Sequence, residues 1–185
     1  MIIYWVVAAV IAIILIWVVA VFNSLIVKNN RVKNAWADVD VQLKRRYDLV
    51  PNLVETVKGY KDYEASVLES VTQTRTSAIS AQNGGIAARS QAENAFSGAL
   101  KNLFAVAENY PQLRASENFQ KLQDELTSLE DDIQSARRYY NAAAREMDNA
   151  IQVFPANIVA GAFGFKQPEF FGVEENEENP VKVSF

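Results

Sequence analysis

From Ile2 to Phe22 every side chain is apolar or aromatic, and the run contains neither a charge nor a proline. Twenty-one such residues make a helix of about 31 Å at ~1.5 Å per residue, which matches a hydrocarbon core of roughly 30 Å. The pattern predicts a membrane-spanning helix within residues 1–24. Ile2, Tyr4 and Trp5 at one end, with Trp17 and Phe22 towards the other, are its expected anchors, the aromatic ones at the membrane interfaces. A cleavable secretory signal fits less well, because it needs basic residues ahead of a shorter apolar core and a small-residue cleavage site behind it. A buried core helix fits poorly too, since few soluble domains of this size hide a helix that is apolar all round.

Beyond the run the period changes to three and four. Val32, Trp36, Val39, Leu43, Tyr47, Val50, Val54 and Val57 form one stripe of an amphipathic helix. The stripe continues, thinner, to Ala81, so one helix of about 80 Å is expected from Lys28 to Gln82, continuous with the span. Pro51 should kink it. Gly59 weakens it by about 1 kcal/mol without obliging it to break. Asn83-Gly84-Gly85 should end it in a left-handed cap. A second helix is read from Ile86 to Asn109, ended by Pro111.

A third helix follows Ser116, with Phe119, Leu122, Leu126, Leu129, Ile133, Ala136, Tyr140, Ala143, Met147, Ala150 and Phe154 as its stripe. This spacing calls for shallow packing along a long antiparallel neighbour. Pro155 stops it, and Ile158 to Phe165 reads as a short helix or turn plugging one end of the core. The expected fold is all-α: a transmembrane helix continuous with a long kinked helix, in an antiparallel bundle of three long helices and a short fourth, resembling a four-helix bundle. Residues 25–172 would form that bundle. Residues 173–185 would be an acidic linker and an apolar C-terminal peptide, with Val181, Val183 and Phe185 as a docking tail.

Charge adds an orientation. Asn23 to Arg46 carries six basic residues against two acidic ones, +4 in a chain of net charge −4, so the remainder is −8. Lys28, Arg31 and Lys33 follow the span closely, which puts the N-terminus outside and the bundle at the cytoplasmic face of the cell (inner) membrane. The same three residues are candidates for contact with anionic lipid headgroups. An acidic domain argues against nucleic acid as a partner.

Candidate chemistry is sparse. The chain has no cysteine and no histidine, which removes thiolate chemistry, the commonest general base and the commonest metal ligand. Glu130, Asp131 and Asp132 are consecutive on a helix and read as a solvated face, as do Asp38 and Lys44 to Arg46. Arg137 and Arg138 are read as covering the stripe or pairing with carboxylates on the first helix. Gly84-Gly85 and Gly161-x-x-Gly164 lack the strand and lysine of a phosphate loop. No catalytic residue, cofactor or metal is therefore expected. Trp36, Leu43, Tyr47, Pro51, Phe119, Leu126, Ile133 and Tyr140 are assigned to helix packing or assembly.

Several segments are familiar as a set: Arg45-Arg46-Tyr47-Asp48-Leu49-Val50-Pro51-Asn52-Leu53, the Glu108-Asn109-Tyr110-Pro111 corner, the Arg137-Arg138-Tyr139-Tyr140-Asn141 turn, the Phe154-Pro155 stop and the ending Pro180 to Phe185. Together they resemble the LemA family of bacterial membrane proteins over nearly the whole chain. The resemblance implies a single N-terminal span, a short exposed N-terminus and a cytoplasmic bundle of long helices. It implies no catalytic residue. Members of that family have been linked with membrane-organelle formation in magnetic bacteria and with membrane metalloproteases.

The expected function is that of a non-enzymatic, membrane-anchored scaffold that self-assembles or docks partners at the cytoplasmic face. A first helix of ~80 Å cannot be covered by a second of ~36 Å, which would leave apolar stripe for another subunit. Membrane lipids, further copies of the chain and a membrane-protein partner are the expected contacts. The alternative is an adaptor for a membrane metalloprotease or an envelope-stress or membrane-remodelling system.

Overall fold

Helices are the only regular elements among residues 1–59 and 64–172, which the computed structural model describes. In chain order they are α1 (Ile2–Lys58), α2 (Ala65–Ser80), a 3₁₀ turn (Ala81–Asn83), α3 (Ile86–Ala107), α4 (Pro111–Arg114), α5 (Glu117–Gln152) and α6 (Ala156–Ala162). The fold is all-α with a long apolar N-terminal helix. The acidic linker and the docking tail Val181, Val183 and Phe185 lie outside the described residues. Two compact units emerge, one of residues 1–38 with 138–168, the other of residues 39–137 with the described residues from Glu169 on.

In the second unit the three-and-four spacing is the burial pattern. Val39, Leu43, Tyr47, Val50, Val54 and Val57 of α1 are buried, as are Phe96, Leu100, Leu103 and Ala107 of α3 and Phe119, Leu126, Leu129 and Ile133 of α5. The first helix does not reach Gln82. It ends at Lys58, and α2 packs along α3 with Val67, Leu68, Val71 and Ala78 buried. A glycine already costs about 1 kcal/mol in a helix interior, and stopping at Gly59 lets α2 bury its apolar residues against α3. The ~80 Å helix left partly uncovered is therefore not present.

Two local expectations change in the same unit. Gly84 and Gly85 have φ of −83° and −63°, so neither is left-handed. Gly84 instead supplies room, because a Cβ there would stand 3.2 Å from the Ala81 carbonyl oxygen. The Arg137-to-Asn141 segment is not a turn but runs within α5.

Pro51 lies inside α1, with its ring exposed rather than packed. It lacks the N–H that would reach the Tyr47 carbonyl four residues back. Arg75 of α2 supplies the missing donor, its Nε donating to the Tyr47 oxygen at 2.8 Å. Arg75→Met should accordingly cost about 1.5 kcal/mol of stability, the range for a hydrogen bond from a charged group. In a Pro51→Ala background, which restores the helical donor, the loss on denaturant unfolding should shrink to a few tenths. An equal loss in both backgrounds would contradict the substitution of one donor for the other.

The first unit is organised on the other half of α1, which is helical without a break through Asn23 and Ser24 to Lys33 and beyond. Leu25 is buried with Val159 and Ala160 of α6, and Val18, Val21, Phe22, Ala150, Ile151 and Phe165 pack around them. Trp36, half-buried, meets buried Tyr140 edge-on at 5.1 Å. The stripe of α5 does not extend to Phe154, which is 75% exposed beyond the helix end. The residue before a proline is pushed out of helical geometry, and Pro155 follows directly.

Candidate functional site

The feature that sequence periodicity misplaced lies at the centre of the second unit. Arg46, read from the sequence as solvated, is fully buried. Its position follows from a second series on α1, Val39, Leu43, Arg46, Val50, Leu53 and Val57, whose other members are all core residues. On α3 the series Arg89, Glu93, Phe96, Leu100 does the same, with both charged residues buried. On α5 it is Leu126, Glu130, Ile133, Arg137. Charges standing at apolar register positions on three helices were the signal in the sequence.

These residues converge. Arg46 donates through Nη2 to Glu93, and through Nη1 to Glu130 at 2.6 Å and Ser97 at 2.8 Å. Tyr47 donates its hydroxyl to the other oxygen of Glu93. Arg89 pairs with Asp40 at 2.5 Å. The Arg46 guanidinium lies 5.0 Å from the Phe96 ring centre, and that of Arg137 4.5 Å from Phe171. Three arginines face three carboxylates, so the cluster is neutral. Burial and the bond to Glu93 push the Tyr47 phenol well above its ordinary value, and burial together with the nearby Arg46 lowers Arg137.

Chemically the cluster fixes charge instead of offering it. Both oxygens of Glu93 are occupied, Tyr47 is held protonated, and the guanidiniums are donors only. Among the described residues no group of three histidine, cysteine, aspartate or glutamate side chains is placed to hold a metal. A cavity of about 20 Å³ between Val57, Leu68, Leu103 and Tyr110 has room for roughly one water. Asp132 is exposed, 3.8 Å from Arg45, so the acidic run on α5 is split: Glu130 turns inward and Asp132 outward.

The second candidate is the surface of the first unit. Ile2, Tyr4 and Trp5 are 81%, 80% and 77% exposed, Trp17 is exposed, and Phe22 packs on Phe163 and Phe165. The most apolar window of α1 is wholly unburied, and by length and composition it is sufficient to cross a membrane. Of the candidate headgroup residues, Lys28 and Arg31 both bind Glu146 of α5, at 2.5 and 2.6 Å, whereas Lys33 is exposed. Hydrogen bonds from Lys28 and then Arg31 hold the Glu146 carboxyl below its ordinary value of 4.5. A lowered folded value means that the pair stabilises the fold fully above the ordinary carboxylate range and loses that contribution as pH falls through it. Glu146→Gln should therefore lower the melting temperature slightly at pH 7 and flatten its fall between pH 5 and pH 3. An unaltered acid limb would contradict this role.

A helical chain with a bare apolar segment and a largely buried ionic cluster defines a helical protein compatible with a membrane. Residues 35–185 match the model of the LemA family, and the chain belongs to that family. It is 27% identical to magnetosome protein MamQ 2 of Paramagnetospirillum magneticum, over 86% of this chain and 68% of that protein. It is 28% identical to protein LemA of Metamycoplasma hominis, over 88% of this chain and 74% of the relative. Magnetosome protein MamQ of Magnetospirillum gryphiswaldense is 24% identical over the same shares as the first.

Proposed function

We propose that the protein is a non-enzymatic scaffold anchored by one membrane span, its helical portion folding as an antiparallel bundle that self-assembles or docks partners at the cytoplasmic face of the cell membrane. The observation that carries this reading is the bare apolar window of α1. So much uncovered apolar surface favours a lipid or protein neighbour over water, and α1 passes without interruption from it into buried positions at Leu25, Val32 and Ala35. Lys28, Arg31 and Lys33, placed just after the span, favour the cytoplasmic side for the helices beyond it. The cluster around Arg46 supports a structural role, since the buried Arg46 and Glu93 at its centre bond to one another and to Tyr47, Ser97 and Glu130. Relatives named as magnetosome proteins are compatible with work on a membrane.

Two measurements test it. The chain should stay with membranes after alkaline carbonate washing, and in mild detergent its protein mass should exceed one chain and depend on concentration. A strict monomer at every concentration, capturing no partner when crosslinked in intact membranes, would overturn the scaffold reading.

A further inference from the structure

The first unit carries a second apolar surface outside the span. Between Asp148 and Lys166 no residue is charged, and within that stretch Val153, Phe154, Ile158 and Phe163 are 60%, 75%, 63% and 57% exposed. Their neighbours face the other way: Val159 and Ala160 are buried against Leu25, with Val18, Val21 and Phe22 beside them. The turn after α6 fixes this arrangement. Gly164 adopts a left-handed φ of +71°, the Gly164 N–H donates to Gly161 and the Phe165 N–H to Ala160, at 3.3 and 3.0 Å. That closure, of the kind that ends helices at glycine, brings Phe163 and Phe165 to 4.7 and 5.9 Å from the Phe22 ring.

We propose that α6 and its flanks form a second membrane element, lying in the interfacial layer beside the last turns of the α1 span, with Phe154, Ile158 and Phe163 against lipid acyl chains. The inference rests on the reading of residues 2–22 as a span. Given that reading, the depth of α6 is set, because its buried face packs on Val18, Val21 and Phe22. Lys28 comes six residues after Phe22, about 9 Å further along the helix, so the basic residues mark a more polar level than α6 occupies. Lys166 and Asp148 bracket the uncharged stretch as polar limits. The exposed aromatic and aliphatic side chains are then continuous with the lipid-facing surface of the span, which makes acyl chains the occupant. An interfacial segment of this kind buries one face shallowly without crossing.

The absence of cysteine from the chain permits a clean test on the full-length protein. I11C, I158C, F163C and S77C are labelled singly with an environment-sensitive fluorophore and reconstituted in phosphatidylcholine vesicles with or without nitroxide on the acyl chains. The labels at positions 158 and 163 should lose most of their emission to the acyl-chain nitroxide and resist aqueous iodide, as the label at 11 does, while the label at 77 behaves oppositely. Quenching at 11 but not at 158 and 163 overturns the inference and leaves the span intact. Absence of acyl-chain quenching at 11 overturns the span and the inference with it. Protection of 158 and 163 from both quenchers means that protein covers the patch, which also overturns it. Ile11, Ser77 and Ile158 are exposed, so their substitution does not disturb the core. F163C gives up the ring contact with Phe22, and the label at 158, which leaves that contact in place, must therefore show the same quenching for the inference to stand.

Discussion

Arg46→Met should lower the unfolding free energy by about 3–5 kcal/mol, the usual cost of removing one partner from a buried ion pair. For a chain of this size that corresponds to a fall of roughly 10 °C in melting temperature. Arg46 is buried against Glu93, itself fully buried, and also reaches Glu130 and Ser97. Methionine keeps much of the volume and the contact with Phe96 but leaves the buried Glu93 carboxyl without its cation, its remaining bond the one from Tyr47. Glu130 suffers less, because 28% of its side chain already meets solvent. The double variant R46M/E93Q should therefore be more stable than R46M alone, since glutamine removes the stranded carboxyl and still accepts from Tyr47. Unfolding followed by circular dichroism in detergent decides the matter. A loss below about 1 kcal/mol, typical of a surface pair, would show that water reaches Arg46.

The second large effect is expected in the apolar segment proposed to span the membrane. Ile2 to Phe22 holds fourteen isoleucine, valine, leucine and phenylalanine residues, contributing roughly −4 to −8 kcal/mol to insertion on a biological scale, whereas one central arginine costs about 2.5–3.5 kcal/mol. Ala12→Arg alone should thus leave most of the protein in the membrane, and A9R/A12R should bring insertion close to balance and release a large fraction on carbonate washing. Complete retention of the double variant would mean that something other than the span holds the chain there. Release by the single variant would show the span to be weaker than its composition implies.

Single-stripe periodicity was enough to make α1, α3 and α5 legible, because apolar burial dominates helix packing and repeats every three to four residues. Boundaries were legible to within about a turn where proline dictated them, as before Pro155, where the helix stops at Gln152 and not at Phe154, and less so where a competition between glycine cost and tertiary burial decided, as at Gly59. The ionic cluster was hidden for a different reason. Arg46 neighbours Lys44 and Arg45 in a basic run, so composition assigned it to solvent, although its register with Leu43, Val50 and Leu53 placed it inside. Glu130 was masked in the same way by Asp131 and Asp132. The pairing of Lys28 and Arg31 with Glu146 depends on residues more than a hundred positions apart, which no local pattern encodes. Arg75 as a surrogate donor for Pro51 is equally non-local.

A scaffold at the cytoplasmic face requires Ile2 to Phe22 to cross the membrane with the rest of the chain on the cytoplasmic side. The most direct measurement is labelling of intact cells with a membrane-impermeant maleimide, using the full-length chain with one cysteine introduced on either side of the span. A cysteine inserted with a short polar spacer between Met1 and Ile2 should react in intact cells, whereas N34C should react only after the membrane is opened. Reaction of N34C in intact cells would contradict the orientation, and equal reaction of both positions would contradict the span itself.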